Sequence, residues 1–176
     1  NEIVNSDLDE VKKQFLIIYQ ASNYHLFAIK HASEQIAFYK LKEALAITTT
    51  IKERVEFVKK THELLKLPIE YVYKALQFGE SINNKTIIAN SLLKLGLFNF
   101  AFQFMVISMD YKSTTSSEDI IKQLTNSLNC TLTAYNYFIE MEALADALTC
   151  ASLALEIKEL AKLFYDSEIG LIEYDV

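Results

Sequence analysis

Three glycines and one proline are all that this chain of 176 residues contains. A sheet fold needs turn-formers about every 8–12 residues, so these four cannot punctuate one. Long helices joined by short links need far fewer. Half of the chain is apolar (51%), enough to fill a large core. The fold expected is all-α.

Helical periodicity runs through most of the sequence. Leu8, Val11, Phe15 and Ile18 recur at helical spacing behind a Ser6–Asp9 pair that resembles a capping box, which predicts a helix over 7–19. The next segment carries Ala28, Ala32, Ala37 and Ala44, small residues that let a neighbouring helix approach closely. The threonines at 48–50 read as a break and cap. Val55, Val58, His62 and Leu65 then share a face. Pro68 is expected to open a new helix, since its missing N–H is not needed in a first turn. The segment "SINNK" at 81–85 reads as a polar turn, and "YKSTTSSED" at 111–119 as a loop, with Ser116 and Asp119 forming another cap. Residues 119–164 return to helical period.

Residues 87–109, "IIANSLLKLGLFNFAFQFMVISM", are apolar enough to resemble a membrane span. Asn90, Ser91, Lys94, Asn99 and Gln103 interrupt the run, and a bilayer helix would have to bury them all. The expectation is therefore two core helices turning at Gly96, with no membrane insertion.

A spacing recurs along the chain. "AFYKLKEAL" (37–45), "AFQFMVISM" (101–109) and "ALTCASLAL" (147–155) each begin with Ala and carry a small residue seven positions on, and "PIEYVYKAL" (68–76) fits the same frame. A period near 34 residues marks a solenoid. The segment 89–109 resembles a tetratricopeptide repeat through Ala89, Leu92, Leu95, Gly96, Phe98, Ala101, Phe104 and Ser108; 135–155 does so through Tyr135, Phe138, Leu144, Ala147, Ala151 and Ala154. The resemblance places four units at about 18–51, 49–82, 82–115 and 128–161. It implies a right-handed α-solenoid of antiparallel helix pairs, about eight or nine helices in all. His25, Glu56 and Tyr135 stand where the family has a small residue, and the family's terminal proline is missing from all four units. Less regular α-solenoids remain open beside it. Residues 1–176 are expected to be a single helical-repeat domain, a piece of a longer protein because the chain opens on Asn1.

The chain offers little chemistry. His25 and His31 fall on different faces of one helix, and His31 with Glu34 makes only two ligands. Cys130 and Cys150 have no histidine near them in the sequence and read as free, buried thiols of a reducing compartment, the cytoplasm. Three scattered glycines cannot cradle a phosphate. We therefore expect no catalytic residue, no metal and no cofactor.

Charge is uneven. Residues 1–94 hold 13 basic and 11 acidic residues, and residues 95–176 hold 4 and 12. The acidic second half repels nucleic acid and attracts a basic partner. Asn83, Thr86, Asn90 and Lys94 form one helical stripe, and Asn129, Leu132, Asn136 and Glu140 repeat its register 46 residues later. The resemblance puts both stripes on first helices, facing a groove. An asparagine donates to and accepts from a peptide backbone at once. Asn83, Asn90, Lys94, Asn129, Asn136 and Glu140 are thus the expected partner-binding residues of a protein- or peptide-binding scaffold. The alternatives are the ligand domain of an intracellular signalling-peptide sensor and a structural segment of a coat or nuclear-pore type assembly.

Overall fold

A computed structural model describes residues 2–45, 50–108 and 116–165. All of its regular structure is helical: α1 Glu2–Leu45, α2 Ile51–Ser81, α3 Lys85–Ser108, α4 Ser117–Glu140 and α5 Leu144–Tyr165. No strand occurs among the described residues. The all-α expectation holds. The helix count does not: among the described residues five helices stand where eight or nine were expected.

The difference comes from four places where a helix was expected to begin or break and does not. Helix α1 runs through Ser6 and through the polar stretch at 20–23, where Ser22 turns its hydroxyl back to the Ile18 carbonyl at 2.9 Å. Helix α2 runs through Pro68, whose ring is buried. Proline has a helical φ, and what it loses is one hydrogen bond. Helix α3 runs through Gly96. That glycine is not a turn but a crossing point, because a Cβ there would collide with Thr131 Oγ1 and stand 3.1 Å from the Ser127 carbonyl of α4. Among the described residues, one long helix fills each of the segments expected to be two-helix units at 49–82 and 82–115, and a turn between two helices lies inside 128–161.

Two of the three expected caps form; the Ser6–Asp9 pair lies inside α1 instead. Thr50 accepts from the Glu53 amide while the Glu53 carboxylate accepts from the Thr50 amide at 2.7 Å, a reciprocal capping box. Ser116 accepts from the Asp119 amide at 3.0 Å and donates to its carboxylate at 2.7 Å. The turn at 81–85 also forms. Asn83 takes φ 50°, and the Asn84 amide reaches back to the Gly79 carbonyl at 2.8 Å. The α4–α5 turn repeats this device: Glu142 takes φ 58°, and the Ala143 amide reaches the Phe138 carbonyl at 2.9 Å. Both are left-handed helix terminations with a long backbone bond that satisfies an orphan carbonyl. They recur 59 residues apart, so what repeats in the structure is a turn between long helices. Residues 109–115, which include most of the expected loop, and Thr48, Thr49 and the segment 166–176 lie outside the described residues. So do the side chains of Ala37, Ala44, Val55, Val58 and Ser108.

Consecutive helices pack antiparallel, and α3 also touches α1 and α5. Small residues set the close crossings, as expected for Ala28 and Ala32, which bury against Val72, Leu95 and Phe98. On the other side of α3, Ala89 meets Ala134, Phe138, Ala147 and Cys150. Farther along, Val106 joins Ile120, Leu124, Ile157 and Ala161. Each large side chain sealed in these clusters contributes about 1.5–3 kcal/mol. Helix α3 is common to all three clusters, which explains its apolar composition. Its span Lys85–Phe104 is long and apolar enough to cross a membrane, and here α1, α2, α4 and α5 cover part of it while Leu97 and Phe104 stay exposed.

Candidate interaction surfaces

The six residues expected to bind a partner do not converge. Asn83 sits exposed in the α2–α3 turn, where its tolerance of left-handed backbone is the visible reason for an asparagine. Asn90 is half-buried, and its amide donates to the Thr86 carbonyl of its own helix at 2.9 Å. Lys94 is half-buried beside it and lies within electrostatic reach of His25 on α1 and Asp146 on α5. Burial holds the Lys94 ammonium below its usual range, with Asp146 opposing. Lys94 thus lies on the side of α3 that faces both α1 and α5. Asn129, Asn136 and Glu140 lie instead on α4, about half a turn around from its buried row of Leu124, Thr131 and Phe138. The one described tie between the two sets is at their ends, where Lys85 Nζ donates to Glu140 at 2.8 Å and Thr86 meets the Met141 sulfur at 3.5 Å.

The buried polar groups of α3 divide into two kinds. Ser91 is fully buried and donates to the Ile87 carbonyl at 2.8 Å, and its oxygen lies 2.8 Å from His25 Nε2. With the hydroxyl proton directed to Ile87, Nε2–H is the donor to Ser91. Burial, and then the Lys94 charge, push the His25 pKa down to about 4, so the ring is neutral near pH 7. Ser127 of α4 donates to the Gly96 carbonyl at 2.5 Å, and Thr131 closes on its own helix at 2.8 Å. These groups are satisfied within the fold.

Gln103 is not. It is 5% exposed, and its amide has no hydrogen-bond partner among the described residues. It lies on the floor of a half-open cleft of about 520 Å³ between α2, α3 and α4. Phe102 and Val106 of α3 continue the floor. Lys59, His62, Glu63 and Lys66 of α2 form one wall, and Asp119 and Gln123 of α4 the other. The His62 and Phe102 rings lie 4.9 Å apart. The sequence carried a signal for this site, since Gln103 is one of five polar residues that interrupt the apolar run 87–109, but nothing in the spacing joins it to Lys59 and Lys66.

Two apolar stripes face solvent. On α1, Val11, Phe15, Ile18, Leu26 and Ile29 fall on one side of the helix and are all exposed, Phe15 by 72%. Tyr24 stacks on Phe78, one turn before the end of α2, so the N-terminal part of α1 runs on past α2. On α5, Leu144, Leu148 and Leu155 are exposed along one side, Leu148 by 72%.

Both cysteines are free thiols. Burial pushes Cys130 up, and burial together with Asp146 pushes Cys150 up to about 11, so neither is a ready thiolate. Among the described residues no three histidines, cysteines or carboxylates gather to hold a metal. His31 and Glu34 stand 3.8 Å apart as an exposed pair. Comparison of the chain with protein-family models, with curated proteins and with solved structures gives no match.

Proposed function

We propose that this chain is a protein- or peptide-binding scaffold of the α-solenoid kind, related in design to tetratricopeptide repeats, working in the cytoplasm without catalysis or cofactor. The observation that carries this reading is the pair of apolar stripes on α1 and α5, the first and last described helices. Helix α3 has neighbours on several sides and buries or half-buries its described apolar residues apart from Leu97 and Phe104. Helices α1 and α5 have fewer neighbours and present theirs to water, as a stack does where it expects more protein. The repeated turn at Asn83 and Glu142, and the contacts of α3 with both α1 and α5, support a stack of long helix pairs.

A second reading draws on the same stripes: a structural segment of a coat or pore type assembly, with neighbouring subunits as their occupants. Both readings are tested with Phe15→Glu/Ile18→Glu and Leu148→Glu/Leu155→Glu. Partners are found by cross-linking mass spectrometry and remade as pure proteins. The expected result is at least a tenfold loss of partner affinity in one pair of substitutions, with helicity unchanged by circular dichroism. Unchanged affinity in both would overturn the scaffold reading. Self-association of the wild-type chain in the ultracentrifuge, lost in either pair, would favour the assembly.

A further inference from the structure

We propose that the cleft between α2, α3 and α4 is a second binding site, and that its ligand is a short extended peptide segment with an acidic residue beside an apolar one. The inference starts from Gln103. A carboxamide buried this deeply with no partner among the described residues is uncommon in a folded protein. Its N–H group donates and its oxygen accepts, which is the complement of a peptide unit. The amide lies in the floor of the cleft, so a ligand segment laid there supplies both missing bonds.

The rest of the cleft defines the side chains of that segment. The His62 and Phe102 rings form an apolar shelf beside Gln103. Lys59 and Lys66 stand two turns apart on α2, about 10 Å along the axis, and neither has an ion pair among the described residues. Glu63 lies between them, so the α2 wall keeps a net positive charge. Asp119 on the opposite wall keeps its negative charge while it accepts from Ser116 at 2.7 Å in the α4 cap, so the positive charge is local to the α2 wall and the acidic residue of the ligand faces that side. An extended chain advances about 3.3 Å per residue, so the distance between the lysines matches about three residues. A cleft of about 520 Å³ holds a segment of that size. This site does not include Asn90 or Lys94, and it does not depend on the apolar stripes.

The test uses the whole chain and a phage-displayed random heptapeptide library. Selection on the wild type is expected to enrich peptides with an acidic residue next to an aromatic or aliphatic one. The enriched peptides, made synthetically, are expected to bind at least tenfold more weakly to Gln103→Leu and to Lys59→Glu/Lys66→Glu, both checked for folding by circular dichroism. They are expected to bind undiminished to Phe15→Glu/Ile18→Glu. No enrichment, enrichment without acidic residues, or equal binding to the cleft variants would overturn the proposal. So would displacement of the peptides by ADP with direct saturable ADP binding, which would make the cleft a nucleotide site. Loss of peptide binding in the stripe variants alone would remove the cleft proposal and leave the scaffold reading standing.

Discussion

The two halves of α3 carry similar apolar sequence and are finished differently. In the N-terminal half each buried polar group is answered from inside the molecule: Ser91 by Ile87 and His25, the Gly96 carbonyl by Ser127. In the C-terminal half the buried Gln103 faces a cleft and has no described partner. A satisfied polar group in a core helix fixes which helices meet and in what register. An unsatisfied one stores a deficit that a ligand can make good. The difference is what the proposed cleft site between α2, α3 and α4 rests on.

The strongest way to break the sealed half is to widen it. Gly96→Ala places a methyl group against Thr131 Oγ1 and the Ser127 carbonyl, at an overpacking cost of about 1–3 kcal/mol, even though alanine is the better helix former. Chemical denaturation measures it. The paired substitution Thr131→Ala in the same chain is expected to recover part of the loss. A neutral or stabilising Gly96→Ala would mean that α3 and α4 do not cross there. Gly96 as a turn residue would also respond to alanine, but Thr131→Ala would then offer no rescue.

The sealed half also carries a pH response of defined sign. The folded-state pKa of His25 is near 4, below its ordinary 6.5. Between those values the unfolded chain binds the extra proton, so this contribution to stability is complete above about pH 6.5 and is lost as the pH falls toward 4. Carboxylates titrate in the same window, so the test is a difference: stability against pH for the wild type and for His25→Gln. The wild type should lose more between pH 7 and pH 4. Parallel curves would show that the ring is not held neutral against Ser91.

How much of this was legible beforehand follows the range of the interactions. Caps and turns are local, and Thr50, Ser116 and the turn at 81–85 were readable from a few neighbouring residues. The alanines of α1 were readable as close-packing positions because helical spacing marks a face. Gly96 and Pro68 were misread as breaks because their usual meaning is local, while here it is tertiary: a glycine admits α4, and a buried proline is carried by the packing around it. The spacing of small residues suggested a repeat, but it did not define a structural unit. A period near 34 fits two short helices or one long helix with its turn, and only the partners of each helix decide between them. The cleft draws on residues 59–66, 99–106 and 119–123, a union that no sequence window contains. The stripes failed to converge for a related reason, since equal register on α3 and α4 does not give equal direction once α4 lies against α3.

The smallest effect makes the sharpest comparison, because its sign differs between the halves. Ser91→Ala removes a hydroxyl that answers His25 and should cost about 1 kcal/mol. Gln103→Leu replaces an unanswered carboxamide with an apolar group of similar size and should leave stability unchanged or raise it by up to about 1 kcal/mol. The two variants are compared side by side in urea, at a pH where His25 is neutral. Loss of stability in Gln103→Leu comparable with that in Ser91→Ala would mean that the amide is already satisfied in the free protein, and the cleft would then lose its reason to bind anything. Opposite signs would leave one interpretation, a polar group kept in a core helix against the interest of stability, which is the mark of a residue retained for a ligand.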